Sequence, residues 1–368
     1  MKKVFLLALA CLMMLGCFAA CSAPATSEAP AGGDTAESTA PEGSGDDTIK
    51  IGVSFGTLQE ERWEAERVRM LERADELDNV ELIYTDANHD ANTQNDQIEN
   101  MISQGIDVLV IGPQDNEAAA VGAAAAKEAG IPVVSYCRVV NYDQLDVIVS
   151  YDYVTIGEEN MKLALENVPT GKYMLINGHD ADSVCHDENT GYHNVIDEYV
   201  ERGDVEIVYD QYVENWSPDG AMAAVENILT REDNDIQAII CNNDGMAGGA
   251  VQALIAQRLE GQVYVAGMDA ELAACQRIVE GTQSATVLTG YDPLADAVFD
   301  AALQLAKGEE LTGITNTTEV EGAEIPTIEV EPVIITQDNI YDEIIATGLR
   351  SVEDVYANVP QDQWPAES

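Results

Sequence analysis

The sequence predicts an α/β protein built as two doubly wound parallel-sheet lobes. Two observations carry that expectation. From Thr48 onward, short and nearly all-apolar runs alternate with amphipathic or Ala-rich stretches, as in strands covered on both faces by helices. The alternation then restarts: 106–135 and 236–269 both read strand, polar turn, Ala-rich helix, glycine, strand. Such a period is too long and too rare for a solenoid and marks two similar lobes. With 368 residues, the chain is long enough for two sizeable cores.

Residues 1–20 read as a lipoprotein signal peptide. Lys2 and Lys3 form a positive start, and VFLLALACLMMLGCFAA is a short apolar run ending in small residues, unlike a stop-transfer helix. Phe18-Ala19-Ala20-Cys21 resembles a bacterial lipobox, with cleavage before Cys21 and lipid on its sulfur. Met14-Leu15-Gly16-Cys17 is a weaker rival, because cutting there leaves a further apolar stretch. A diacylated cysteine holds a protein at a membrane surface without a spanning helix. Residues 22–47 have almost no large apolar side chains, so 21–47 is expected to be a lipid anchor with a disordered tether.

The ordered body begins with an apolar strand at 49–55, then a helix at 63–77, a strand at 80–84, a helix at 92–104 and a strand at 106–111. An Ala-rich helix at 117–129, ended by Gly130, leads to strands at 131–136 and 147–150. The second lobe is expected to hold helices at 155–167, 186–201 and 219–230 and strands at 173–177, 205–209 and 236–241. A helix after Asn243, with Asp244 as its cap, precedes a strand at 263–266, a helix at 272–280 and a strand at 285–288. A helix at 293–307 and strands at 315–320 and 332–336 complete the body. Crossovers are placed at 150–153, 289–292 and 323–329. The N-terminal lobe is then 48–150 plus 291–323, and the C-terminal lobe 151–290 plus 324–360.

A formal charge of −50 repels nucleic acid and anionic membrane surfaces, so membrane attachment is expected only through the lipid. Cys137, Cys185, Cys241 and Cys275 are widely spaced and lack CxxC patterning, which suits buried free thiols. His179, His186 and His193 match no zinc spacing and read as a solvated loop and helix. Gly245-x-x-Gly248-Gly249 lacks the order of a dinucleotide loop, and close helix–sheet packing explains it. No metalloprotease helix is present. Neither a catalytic set, a metal nor a cofactor is therefore expected.

Ligands of open α/β sheets sit beyond the carboxyl ends of the strands. The residues there are Gln59, Glu60, Arg62, Trp63, Asp86, Asn88, Gln114, Asp115 and Arg138 in the first lobe. The second lobe offers His179, Asp180, Asp182, Trp216, Asn243, Asp244, Asp269 and Thr289. Facing each other across a cleft, such side chains bind hydroxyls, while Trp63 and Trp216 stack on the apolar face of a pyranose.

These positions carry a resemblance. Glu61-Arg62-Trp63, 97–102 (QIENMI), 108–111 (VLVI), Tyr136-x-Arg138, Trp216 with Pro218, Asn243-Asp244 before Ala247-Gly248-Gly249-Ala250, and Gly267-x-Asp269-Ala270 together resemble periplasmic sugar-binding proteins of the ribose and xylose type. The nearest resemblance is to the D-xylose-binding proteins, from about residue 50 to 340. It implies a type I periplasmic binding protein-like clamp: two lobes joined by three hinge strands and closing on one sugar. It also implies that Arg62, Arg138, Asn243 and Asp269 hydrogen-bond the sugar and that Trp63 and Trp216 stack on it. Three positions depart from the family pattern. Tyr-Asp-Arg is Tyr136-Cys137-Arg138 here, a family lysine is Thr289, and a family asparagine stands as Ser183 or Val184. A thiol does not replace a carboxylate acceptor. Cys137, Val184 and Thr289 are thus the expected specificity positions, and the implied ligand is a monosaccharide of xylose's size, not xylose in particular.

The function expected is a monomeric, lipid-anchored extracytoplasmic solute-binding protein that delivers a monosaccharide to the permease of an ABC importer. The alternatives are a sugar-sensing module docking on a membrane receptor or histidine kinase and, behind it, an exported sugar-acting enzyme.

Overall fold

The structure, a computed structural model, describes residues 48–365; the signal peptide, Cys21 and the tether lie outside them. Strand β1 (Ile49–Phe55) is followed by α1 (Glu61–Asp75), β2 (Val80–Asp86), α2 (Ala91–Ser103), β3 (Val108–Gly112), α3 (Ala120–Glu128), β4 (Val133–Tyr136) and β5 (Val147–Ser150). The chain crosses into α4 (Tyr153–Asn167), β6 (Gly171–Asn177), α5 (Ser183–Arg202), β7 (Val205–Tyr212), α6 (Pro218–Arg231) and β8 (Ala238–Cys241). It continues through α7 (Asp244–Gln257), β9 (Tyr264–Ala266), α8 (Leu272–Glu280) and β10 (Ala285–Leu288), then returns as α9 (Tyr291–Ala306), β11 (Asn316–Val320) and β12 (Ala323–Glu329). Strand β13 (Val333–Thr336) ends the second sheet.

Each lobe is one sheet between helices. The first sheet has the order β11-β12-β5-β4-β3-β1-β2 and the second β13-β10-β9-β8-β6-β7. Pairing is parallel except where β11 meets β12 and where β10 meets β13. Every residue of β3, β4, β5 and β8 is buried, as their largely apolar sequences lead one to expect of strands covered on both faces. The carboxyl ends of the central strands of both sheets open onto the space between the lobes. Among the described residues no helix is long and apolar enough to cross a membrane.

One expected boundary is corrected. Residues 323–329 were expected to form the third crossover, with 324 onward in the second lobe. They are β12 instead, and Thr327, Ile328 and Glu329 pair with Ile148, Val149 and Ser150 of the first sheet. The crossing into the second lobe therefore comes after Glu329. Polar alternation and Pro326 hide this strand in the sequence, since proline is tolerated only near sheet margins. What secures it is a two-residue hairpin with β11, in which Glu321 (φ 49°) and Gly322 (φ 83°) both take positive φ, the geometry of a tight twisted turn.

The glycine-rich start of α7 packs against a helix, where packing against the sheet was expected. A Cβ on Gly249 would lie 2.1 Å from the carbonyl oxygen of Pro218 at the start of α6, whereas one on Gly245 would meet nothing closer than 3.6 Å. Gly249→Ala is expected to cost about 1–3 kcal/mol through overpacking, read as a lower denaturation midpoint. Gly245→Ala on the same helix should leave the midpoint unchanged or slightly raised.

Candidate functional site

The strand ends of the two lobes enclose a tight cleft whose cavity is about 20 Å³, room for about one water molecule. Glu60, Arg62, Trp63, Cys137 and Arg138 line it from the first lobe; Val184, Trp216, Asn243, Met268 and Asp269 line it from the second. All six residues expected to touch ligand thus meet in one space, and each is at most 6% exposed.

Arg62 and Trp63 sit in the first turn of α1, directly beyond β1. The Arg62 guanidinium donates to Glu66 Oε1 (2.9 Å) one turn along the helix, to Asp269 Oδ1 across the cleft (3.4 Å) and to Cys137 Sγ (3.4 Å). Its Nε has no partner. The Tyr136 hydroxyl donates to the other Glu66 oxygen. Burial pushes the Glu66 carboxyl above its usual range, and Arg62 works against that rise. Trp63 meets Phe55 and Tyr136 edge to face, while the Arg62 and Arg138 guanidinium carbons lie 4.5 and 5.3 Å from its ring, within cation–π range.

Cys137 and Arg138 follow directly on β4. Cys137 takes φ 64°, and its thiol lies 3.0 Å from the Tyr153 hydroxyl at the start of α4. Burial raises the Cys137 thiol above its ordinary value. Arg138 donates to Pro113 O (3.1 Å), and its Nε lies 2.6 Å from Asp182 Oδ2 in the opposite lobe. Asp182 caps α5 with its other oxygen, which accepts from Val184 N (3.0 Å).

From the second lobe, Trp216 lies on a short 3₁₀ turn, itself at φ 54°. Its ring covers Gly178 so closely that a Cβ there would come within 2.5 Å of ring carbon Cε2. Asn243 is the cap of α7, accepting from Met246 N (2.9 Å) through Oδ1; its amide nitrogen is the group left for a ligand. The cap was expected at Asp244, whose buried carboxylate instead accepts from Gln283 Nε2 (2.7 Å), Thr286 Oγ1 (2.7 Å) and Glu271 N (3.1 Å). Asp244 thereby braces the loop that carries Asp269. Asp269 takes φ 108° and accepts from Arg62 and, at 3.4 Å, from Thr289 Oγ1. Burial raises its carboxyl well above the ordinary range, with Arg62 opposing. Of the three specificity positions, Cys137 and Val184 line the cleft, whereas Thr289 acts behind it, on Asp269.

Other strand-end residues serve the scaffold. Gln59 donates to Asn88 (2.6 Å), Asp86 accepts from Asn88 N (2.7 Å) and Asp115 from Ala118 N (2.8 Å). The three histidines have separate partners: His179 accepts from Asn215 N, His186 meets Tyr212, and His193 lies between Asp197 and Asp210. Sequence reasoning missed Met268 and the supports Glu66, Glu188 and Asn242. Glu66 had a signal, four residues after Arg62 on one helix face. Glu188 had none: its Oε2 accepts from Tyr192 (2.8 Å) and Asn242 (3.0 Å), and Asn242 Oδ1 accepts from Gly178 N (2.8 Å) beneath Trp216.

Two measurements follow from this electrostatics. Removing one partner of a buried ion pair costs about 3–5 kcal/mol, and Arg138–Asp182 exists only while the lobes are closed. Asp182→Ala is expected to open the unliganded protein, seen as a larger radius of gyration in solution scattering. Secondly, burial pushes Asp244 up to about 6 and Glu271 up to about 7. Groups raised in the folded state stabilise it below their unfolded values and lose that contribution as pH rises through their folded ones. The melting temperature should therefore fall between about pH 4 and 7, and Glu271→Gln should flatten part of the slope.

Residues 51–310 match the family described as the periplasmic binding protein domain. The chain is 36% identical over 301 residues to the D-xylose-binding periplasmic protein of Escherichia coli (strain K12), covering 82% of this chain and 90% of that protein. It is likewise 36% identical over 309 residues to the protein of the same description from Haemophilus influenzae, covering 84% and 92%. Among solved structures, an ABC transporter solute-binding protein from Clostridium phytofermentans with bound β-D-glucose superposes with a TM-score of 0.76 at 22% identity, covering 83% of this chain and 99% of that one; this likeness concerns the fold.

Proposed function

The chain belongs to the periplasmic binding protein family, with the type I two-lobed fold, and from that premise we propose that it captures a neutral monosaccharide, a pentose or hexose of xylose's size, for an ABC importer. In this reading it works outside the cytoplasm as a monomer, held at the membrane by lipid on Cys21. Arg62, Arg138, Asn243 and Asp269 bind sugar hydroxyls, Trp63 and Trp216 stack on the ring, and Cys137, Val184 and Thr289 select among sugars. The observation that carries the reading is the convergence of two arginines, an asparagine and an aspartate from both lobes between two indoles.

The charges support a neutral ligand. Arg62 faces Glu66 and Asp269, and Arg138 faces Asp182, so neither arginine requires an anion. Because the ligand would touch both lobes at once, its binding free energy favours the closed state. Relatives at 36% identity are described as xylose-binding, which supports sugar binding without catalysis.

The test is a thermal-shift screen across pentoses, hexoses and sugar alcohols. Asn243→Ala and Asp269→Ala are each expected to abolish the ligand-induced rise in melting temperature seen in the wild type. A full shift in both variants would refute the assignment.

A further inference from the structure

One polar group of the cleft has no assigned task. Glu60 lines the cleft and also the outer groove that runs along α1 past Gly348 and Leu349, which places it at the mouth. It holds the N-cap position of α1 with extended backbone (φ −78°, ψ 142°), yet its side chain makes no capping bond. Its Oε2 is buried and has no hydrogen-bond partner. A carboxylate oxygen only accepts, and leaving one buried and unpaired is costly. The helix N-terminus offsets part of that cost by favouring negative charge, but supplies no donor. The carboxylate acts electrostatically on Arg138 of its own lobe and on Asp269 of the other. The cleft also holds an unpartnered donor, Arg62 Nε, on a residue only 5% exposed.

We infer that Glu60 is a ligand-contacting residue, whose carboxylate accepts a hydrogen bond from a hydroxyl of the bound monosaccharide at the mouth of the cleft. This rests on the sugar-binding reading above and adds a determinant to it. A sugar hydroxyl donates to Glu60 while accepting from a neighbouring donor such as Arg62 Nε, so one group satisfies both unpartnered atoms. The arginines already face carboxylates of their own, which leaves Glu60 as surplus negative charge. The site therefore discriminates against sugar acids as well as accepting neutral sugars.

The test compares wild type, Glu60→Leu and Glu60→Gln by titration calorimetry with D-xylose, D-glucose and myo-inositol, alongside melting of the unliganded proteins. Glu60→Leu is expected to weaken binding of whichever probe the wild type takes by about tenfold or more, the loss of a hydrogen bond to a charged group. Glu60→Gln, which keeps an acceptor oxygen, should retain most of the affinity. The melting temperature of unliganded Glu60→Leu should be unchanged or higher, because a buried, unpartnered carboxylate oxygen has gone. Binding by Glu60→Leu within twofold of wild type overturns the inference alone. So does a weakened Glu60→Leu whose unliganded melting temperature has also fallen, since that marks a structural role. A wild type that binds none of the three probes overturns the sugar reading and this inference together.

Discussion

The cleft depends on two buried ion pairs that run from one lobe to the other, Arg62–Asp269 at 3.4 Å and Arg138–Asp182 at 2.6 Å. Each of these side chains is nearly inaccessible in the closed arrangement, and separating the lobes would return them to water. Burying such pairs gains Coulomb energy but forfeits hydration, and the two nearly cancel. In the proposed clamp, closure is therefore held close to balance. A clamp locked shut by strong interlobe contacts could not admit a ligand, whereas one near balance is tipped by a few kcal/mol of differential binding.

Precision at the cleft comes from backbone conformations that other parts of the fold must impose. Cys137, Trp216, Asp269 and Ala270 all take positive φ without being glycine, at a cost of about 1–3 kcal/mol each. Sheet-edge hydrogen bonds hold two of them: Cys137 N donates to Val149 O and Asp269 N to Val287 O, both at 2.8 Å. The Asp244 carboxylate fixes the loop beyond Asp269, and the Glu188–Asn242 network fixes the glycine under Trp216. The side chains that would meet a ligand are thus oriented by buried polar groups whose only visible task is support.

The legible parts of the sequence were those governed by burial. Strands covered on both faces are largely apolar, so β3, β4 and β8 declared themselves, and the polar residues just past them pointed to the cleft. Strand β12 was hidden because Pro326, which precedes the stretch paired with β5, and polar alternation disguise it, and its edge partner β11 is itself polar and largely exposed. The exchange of roles between Asn243 and Asp244 was hidden for a different reason. Both residue types cap helices equally well, and only the tertiary position of Gln283 and Thr286 decides which one does. Glu188 lies on a helix among charged neighbours, and nothing local in the sequence separates it from a solvated glutamate.

Charge ties the site to the rest of the molecule. A chain with formal charge −50 repels anionic solutes over the range that screening permits, so arginines in its cleft would be poorly placed to capture an anion. Their pairing with internal carboxylates agrees with this: the guanidinium groups serve as rigid, oriented donors, not as unbalanced positive charge. What then separates one neutral solute from another is how many hydroxyls find a partner. A hydroxyl set against the Cys137 thiol or Val184 would lose its hydration with little in return, while one lying between a free donor and a free acceptor would gain two bonds. Selectivity in such a cleft is a matter of where the apolar wall ends and the unpaired polar atoms begin, and that boundary runs across this cleft, from Cys137 and Val184 to Arg62 and Glu60.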